Sequence, residues 1–219
     1  MKISVKICGI SDDRGLVAAV EAGASQVGFV FFRQSPRYVV LDTAAELVAA
    51  LPRTVTSVGL FVDPTDRDLD MVISHVRLGM VQLHGRETPQ RVDDVRAAFG
   101  LPVIKAIGVS KAQDIHEAKA YEDHADWLMF DAKAPKASAR PGGNAVSFDW
   151  SLARSYAGAT PWMLAGGLTP RNVAKAIKDS GARKVDVSSG VETRPGIKSP
   201  AKIRAFLSAT QGLASQKKP

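Results

Sequence analysis

Short apolar runs alternate with amphipathic stretches eight times along this chain of 219 residues. The runs fall at 3–8, 26–32, 56–62, 80–84, 102–109, 126–131, 162–165 and 184–188. Such runs, bounded by turn residues, read as strands buried on both faces. Between them lie stretches with helical spacing. The first starts at Ser11-Asp12-Asp13, carries Leu16, Val17 and Val20 on one face, and stops at Gly23. Others follow at 42–51, 64–75, 88–99, 111–122, 169–178 and 200–210, with a shorter helical piece at 150–156. Eight strand–helix units in about 210 residues predict an α/β fold, a (β/α)8 TIM barrel with eight parallel strands and outer helices. An open doubly wound sheet has the same alternation. No GxGxxG follows the first strand, however, and the glycines gather instead after strands seven and eight, where barrels commonly bind phosphate. We expect a single barrel domain over residues 1–212 and a frayed tail over 213–219.

Composition narrows the function classes. No apolar run approaches the roughly 20 residues of a membrane helix, so no membrane association is expected. The N-terminal residues lack the apolar core of a signal peptide, which predicts a cytoplasmic protein. One cysteine excludes an internal disulfide framework and cysteine-rich metal sites. The four histidines (His75, His84, His116, His124) show no metal-ligating pattern. The formal charge is +7, but basic residues are interspersed with acidic ones, and only Lys217-Lys218 forms a small patch. Nucleic acid is therefore not an expected partner.

In a barrel the C-terminal ends of the strands line the active site. Strand one ends Lys6-Ile7-Cys8-Gly9, and residues two apart share a face, so Lys6 and Cys8 point the same way. A neighbouring ammonium favours the thiolate, a usable base, and Gly9 leaves room for a ligand near the backbone. Cys8 also fits an inert core position. Asp131 stands where the apolar strand Trp127-Leu128-Met129-Phe130 stops. A carboxyl there can act as a general acid or simply cap a loop. Arg37, in Ser35-Pro36-Arg37, can grip a carboxylate through two parallel hydrogen bonds or face solvent. His84 reads first as a satisfied barrel histidine. Asp186 shares a face with Ser188, as an accessory of the site or an interior partner of Lys6. Gly166, Gly167, Ser189 and Gly190 offer backbone N–H groups to a phosphate. Lys6, Lys105 or Lys133 could alternatively serve a Schiff-base aldolase, and a barrel of this kind could be an inactive binding scaffold.

Several motifs occur in order from near residue 5 to Phe206. They are Lys6-Ile7-Cys8-Gly9, Ser35-Pro36-Arg37, Val58-Gly59-Leu60-Phe61, Gln82-Leu83-His84-Gly85, Phe148-Asp149-Trp150, Leu164-Ala165-Gly166-Gly167-Leu168 and Val185-Asp186-Val187-Ser188-Ser189-Gly190-Val191-Glu192. In this combination the chain resembles the phosphoribosylanthranilate isomerases. The resemblance implies a (β/α)8 barrel acting in tryptophan biosynthesis on a small phosphorylated substrate, without cofactor or metal, with other enzymes of that pathway as candidate partners. It implies an Amadori rearrangement with Asp131 as acid, Cys8 as base, Arg37 on the anthranilate carboxylate and the glycine turns on the phosphate. A related isomerase of histidine biosynthesis uses an aspartate where this chain has Cys8. The family's loop usually reads Gly-Gly-Thr-Gly, whereas here it is Gly142-Gly143-Asn144-Ala145. Asn144 thus takes the threonine's place, and Arg140 nearby is a further cation that could face an anionic substrate.

Overall fold

A computed structural model describes residues 3–135, 142–143 and 146–212. Eight strands pair in chain order and close into a parallel barrel: β1 (Ser4–Cys8), β2 (Gln26–Val30), β3 (Thr56–Phe61), β4 (Met80–Leu83), β5 (Val103–Val109), β6 (Trp127–Ala132), β7 (Trp162–Leu164) and β8 (Lys184–Val187). The open-sheet alternative fails at the closing seam, where Lys6 of β1 stands opposite Asp186 of β8. The expected (β/α)8 barrel is the fold found.

The helices are α1 (Asp13–Glu21), α2 (Leu41–Ala49), α3 (Asp66–His75), α4 (Pro89–Phe99), α5 (Ala112–Glu117), α6 (Val173–Ser180) and α7 (Pro200–Gln211). Their starts are chemical. Asp12 accepts from the Gly15 N–H, Thr65 and Asp68 form a reciprocal capping box, and Thr88 and Ser199 cap helices that open on Pro89 and Pro200.

Alternation along each strand divides the interior in two. Val5, Ile7, Val81, Leu83, Leu128 and Phe130 point outward into the core shared with the helices. Val58, Met80, Ile104, Met129 and Met163 fill the barrel itself. The inward set also contains Lys6, Gln82, Asp131 and Asp186, all buried. Polar groups placed there need partners, and their position at the top of the barrel makes them the floor of its mouth.

Some details depart from the sequence expectation. Val17 is 51% exposed; α1 buries the expected Leu16 together with Gly15, Ala18 and Ala19, because packing against the barrel selects the small-residue face. The 111–122 helix is α5 followed by a 3-10 turn over Ala118–Tyr121, and the piece near Trp150 is a 3-10 helix over Trp150–Ser155. A hairpin of β9 (Glu192–Arg194) and β10 (Ile197–Lys198) sits between β8 and α7. Neither strand is long enough to show an alternating pattern. Arg140, Asn144 and the 213–219 tail lie outside the described residues.

Candidate active site

The strand tops enclose a pocket of about 790 Å3 of empty space, counted out into its open mouth. Cys8, His84, Asp131 and Asp186 line it from the ends of β1, β4, β6 and β8, and Arg37 from the loop after β2. Gly166, Gly167, Ser188 and Ser189 line it from the β7 and β8 ends. Gly190 and Lys6 stand just behind this lining.

Asp131 is buried in β6. Its Oδ1 accepts from the Ala132 N–H at 2.8 Å, and its Oδ2 lies 3.1 Å from His84 Nε2. The other His84 nitrogen, Nδ1, is 2.8 Å from Gln82 Nε2. With the amide N–H donating to Nδ1, the histidine proton sits on Nε2 and points at the carboxylate. His84 is thus a satisfied histidine whose partner is the candidate acid. Gln82 reaches His84 because it lies two residues away on the same strand face.

Cys8 is 4% exposed. Lys6 lies beside it: a methyl group built on Gly28 would meet Cys8 Sγ at 3.0 Å and Lys6 Nζ at 3.1 Å. Lys6 Nζ also donates to Asp186 Oδ1 at 2.8 Å, so Asp186 is the interior partner of Lys6 as well as part of the pocket wall. Burial alone would lower the Lys6 pKa, but Asp186 and Cys8 outweigh it and hold the ammonium above its ordinary range. The thiol departs from expectation. Burial pushes the Cys8 pKa up, and the pull of Lys6 toward the thiolate does not overcome it. Asp186 takes much of the Lys6 charge, so the resting group is the thiol.

Gly9 also differs from its sequence reading. Its φ is +79°, and a methyl group there would lie 2.6 Å from Arg37 Cδ. The space serves Arg37, not a ligand. Arg37 itself is only 5% exposed, so it is no solvent-facing loop arginine. Its Nε and Nη2 donate to the two oxygens of Glu192 at 2.7 and 2.9 Å. Burial alone would raise the Glu192 carboxyl; Arg37 and Lys198 hold it below its ordinary value. Sequence reasoning missed Glu192, Lys198 and Gln82 as site residues. The first two sit in the unanticipated hairpin; Gln82 lies inside the Gln82-Leu83-His84-Gly85 motif, and its signal was its spacing from His84.

At the β7 end Gly166 and Gly167 both have positive φ, +85° and +65°, a turn that side chains disfavour. Asn172 secures it, donating to the Gly167 carbonyl at 2.9 Å and accepting from the Thr169 N–H at 2.7 Å. Ser189 begins a 3-10 turn over Ser189–Val191. A methyl group on Gly190 would fall 1.8 Å from the Leu168 oxygen, so only glycine lets the two turns approach each other.

Of the three lysines of the aldolase alternative, Lys6 is beside Cys8 in its ion pair with Asp186, and the other two are placed elsewhere. Lys105 is buried against Glu87 at 2.7 Å, and Lys133 is 59% exposed near Asp114. Among the described residues no group of three or more His, Cys, Asp or Glu is arranged to hold a metal, and no helix is long and apolar enough to cross a membrane.

Fold and pocket define a (β/α)8-barrel enzyme with a carboxyl, a thiol and a guanidinium facing one cavity beside paired glycine turns. A family model described as N-(5'phosphoribosyl)anthranilate (PRA) isomerase matches residues 5–209. An N-(5'-phosphoribosyl)anthranilate isomerase of Paramagnetospirillum magneticum is 57% identical over 212 residues, 97% of this chain and 99% of that one. The crystal structure of phosphoribosyl anthranilate isomerase from Thermotoga maritima superposes with a TM-score of 0.85 at 38% identity, covering 96% of this chain and 99% of that one. A crystal structure of a phosphoribosyl anthranilate isomerase in complex with reduced 1-(o-carboxyphenylamino)-1-deoxyribulose 5-phosphate has a TM-score of 0.81 at 36% identity with the same coverage. The chain belongs to the N-(5'-phosphoribosyl)anthranilate isomerase family.

Proposed function

We propose that the barrel mouth converts N-(5'-phosphoribosyl)anthranilate to 1-(2-carboxyphenylamino)-1-deoxyribulose 5-phosphate, in tryptophan biosynthesis, with Asp131 as general acid and Cys8 as general base. The observation that carries these roles is the sharing of one pocket by Asp131, Cys8, Arg37 and the two glycine turns. The bound ligand in the related structure carries a carboxylate and a phosphate. This pocket offers a guanidinium for one and backbone N–H groups for the other. Anchoring both ends fixes the reacting carbons between them.

Asp131 in its protonated form donates to the furanose ring oxygen. The C1'–O bond breaks as the anthranilate nitrogen pushes its lone pair into a C1'=N iminium. Cys8 acts through its minor thiolate form, which Lys6 favours against the resting thiol; the thiolate removes the C2' proton, and the enolamine formed tautomerises to the ketone. His84 steadies Asp131 by donating from Nε2 to its Oδ2, with Gln82 holding the other ring nitrogen. Lys6 and Asp186 support Cys8 from behind, Lys6 favouring the thiolate and Asp186 limiting that effect. We place this chemistry in the cytoplasm, without cofactor or metal and without nucleic acid or membrane as partner, with other tryptophan-pathway enzymes as candidate associates. The test is the loss of phosphoribosylanthranilate fluorescence catalysed by wild type and Cys8→Ala. We expect Cys8→Ala to bind the reduced product analogue normally and to lose at least about 10²-fold in turnover. Turnover near wild type would return Cys8 to an inert core role.

A further inference from the structure

Behind Arg37 lies a buried cluster whose charges do not balance. Glu192 takes the Nε–Nη2 edge of the guanidinium side-on. A guanidinium has five donors in a fixed fork, so the Nη1–Nη2 end remains. That end faces the pocket beside Gly143: Nη1 would lie 2.5 Å from a methyl group on that residue, and Nη2 is 3.5 Å from its carbonyl. Lys198 shares the same carboxylate, donating to Glu192 Oε1 at 2.7 Å. Its other partners are the Ser188 carbonyl at 3.0 Å and the Ser188 hydroxyl at 3.3 Å, which together occupy the three protons of an ammonium. The side chains of Arg37, Glu192 and Lys198 are 5%, 4% and 1% exposed. Two cations thus share one carboxylate out of water. An unneutralised buried charge is unfavourable, and an incoming anion relieves it.

The hairpin explains how the cluster is built. β9 and β10 pair Glu192 directly with Lys198. The Gly196 N–H at their turn donates to Glu192 Oε2 at 3.3 Å, and Gly196 packs against the Pro36 carbonyl, next to Arg37. Lys198 meanwhile holds Ser188, which leads into the Ser189–Gly190 turn.

We infer that Glu192 and Lys198 are a positioning pair that presents Arg37 end-on to the substrate carboxylate and ties that carboxylate site to the phosphate turn. The inference deepens the function proposed above and rests on its assignment of Arg37. Through this pair the short hairpin makes recognition of the carboxylate depend on a residue that never touches the substrate.

The experiment measures affinity for reduced 1-(o-carboxyphenylamino)-1-deoxyribulose 5-phosphate and for the same compound with phenyl in place of carboxyphenyl. Wild type should prefer the carboxylated ligand. Glu192→Gln keeps the side chain's size but loses the charge that orients Arg37. We expect it to cut that preference about tenfold or more while binding of the phenyl compound stays within a few-fold. Glu192→Asp, which restores the charge one methylene short, should recover part of the preference. Lys198→Gln, should Glu192→Gln fail to fold, should lower the preference several-fold. A general loss of packing would weaken both ligands alike, and that result in the folded variants overturns the inference, as does an unchanged preference. No preference in wild type would remove Arg37 from the carboxylate site, and the positioning role with it.

Discussion

Two buried glutamates flank the barrel mouth, and each meets a lysine at 2.7 Å: Glu87 with Lys105, Glu192 with Lys198. Their remaining partners separate them. Glu87 accepts from the backbone N–H groups of Gly85 and Asp63, and Lys105 gives another hydrogen bond to the Gly85 carbonyl at 2.8 Å. One cation meets one anion, the rest is backbone, and neither residue reaches the pocket. Glu192 instead holds a second cation, Arg37, which does reach it. A balanced cluster of this kind clamps the loops after β3 and β4. An unbalanced one leaves a charge directed at a ligand. Two ion pairs of equal length and similar burial thus serve different ends, and the count of charges tells them apart.

The largest effect should come from a residue in neither cluster. Asp131→Asn leaves both ion-pair groups whole, yet we expect turnover to fall by about 10²–10⁴-fold, as the loss of a general acid does, with affinity for the reduced product analogue close to wild type. A loss under tenfold in a steady-state assay would pass the acid role to another group.

Glu87→Ala should separate stability from chemistry. It strands Lys105 in the interior, and breaking such a pair costs about 3–5 kcal/mol, a fall in Tm of about 10 °C for a chain of this size. Turnover at 25 °C should stay within a few-fold of wild type. If activity fell with little change in Tm, the balanced cluster would also belong to the catalytic machinery.

Arg37→Ala makes the opposite split. It should weaken the carboxylated product analogue by about 10–100-fold, the range of a lost charged hydrogen-bond pair, and leave inorganic phosphate binding nearly unchanged in calorimetric titrations. Equal weakening of both would deny Arg37 the carboxylate.

The smallest effect is a pH dependence at the barrel interior. Lys184 lies over the Trp127 ring at 4.0 Å, and burial, with Lys6 adding repulsion, lowers its pKa to about 8. The unfolded chain then holds more protons than the folded one between about pH 8 and the ordinary lysine value of 10.5. Stability contributed by this group therefore rises with pH across that window. Denaturant titrations at pH 7.5 and 10 should show a change in stability more favourable in wild type than in Lys184→Met, because the raised Cys8 thiol acts in the opposite sense in both. The same change in both proteins would assign the pH dependence to other groups.

Much of the barrel was legible because its signals are local. The run that became β7 and the run Trp127–Phe130 of β6 are apolar on both faces, and helix starts such as Asp12 and Thr88 carry their own caps. Cys8 and Asp131 were legible as strand-end residues, and Arg37 through its motif. The hairpin was not: strands of three and two residues hold no periodicity. Nor was the reason for Gly9, whose missing side chain makes room for an arginine 28 positions on.

By itself the sequence determined the eight alternating units, the side chains at the strand tops and the glycine turns after the last two strands, since each depends on neighbours a few residues away. Only the tertiary structure decided which charges meet. Closure of β1 on β8 joins Lys6 to Asp186 across 180 positions, and the hairpin brings Glu192 to Arg37 across 155. That closure also buries Cys8 and shares the charge of Lys6 with Asp186. A thiol beside a lysine, which the sequence predicts as a favoured thiolate, therefore rests protonated: desolvation belongs to the closed barrel, and no window of sequence contains it.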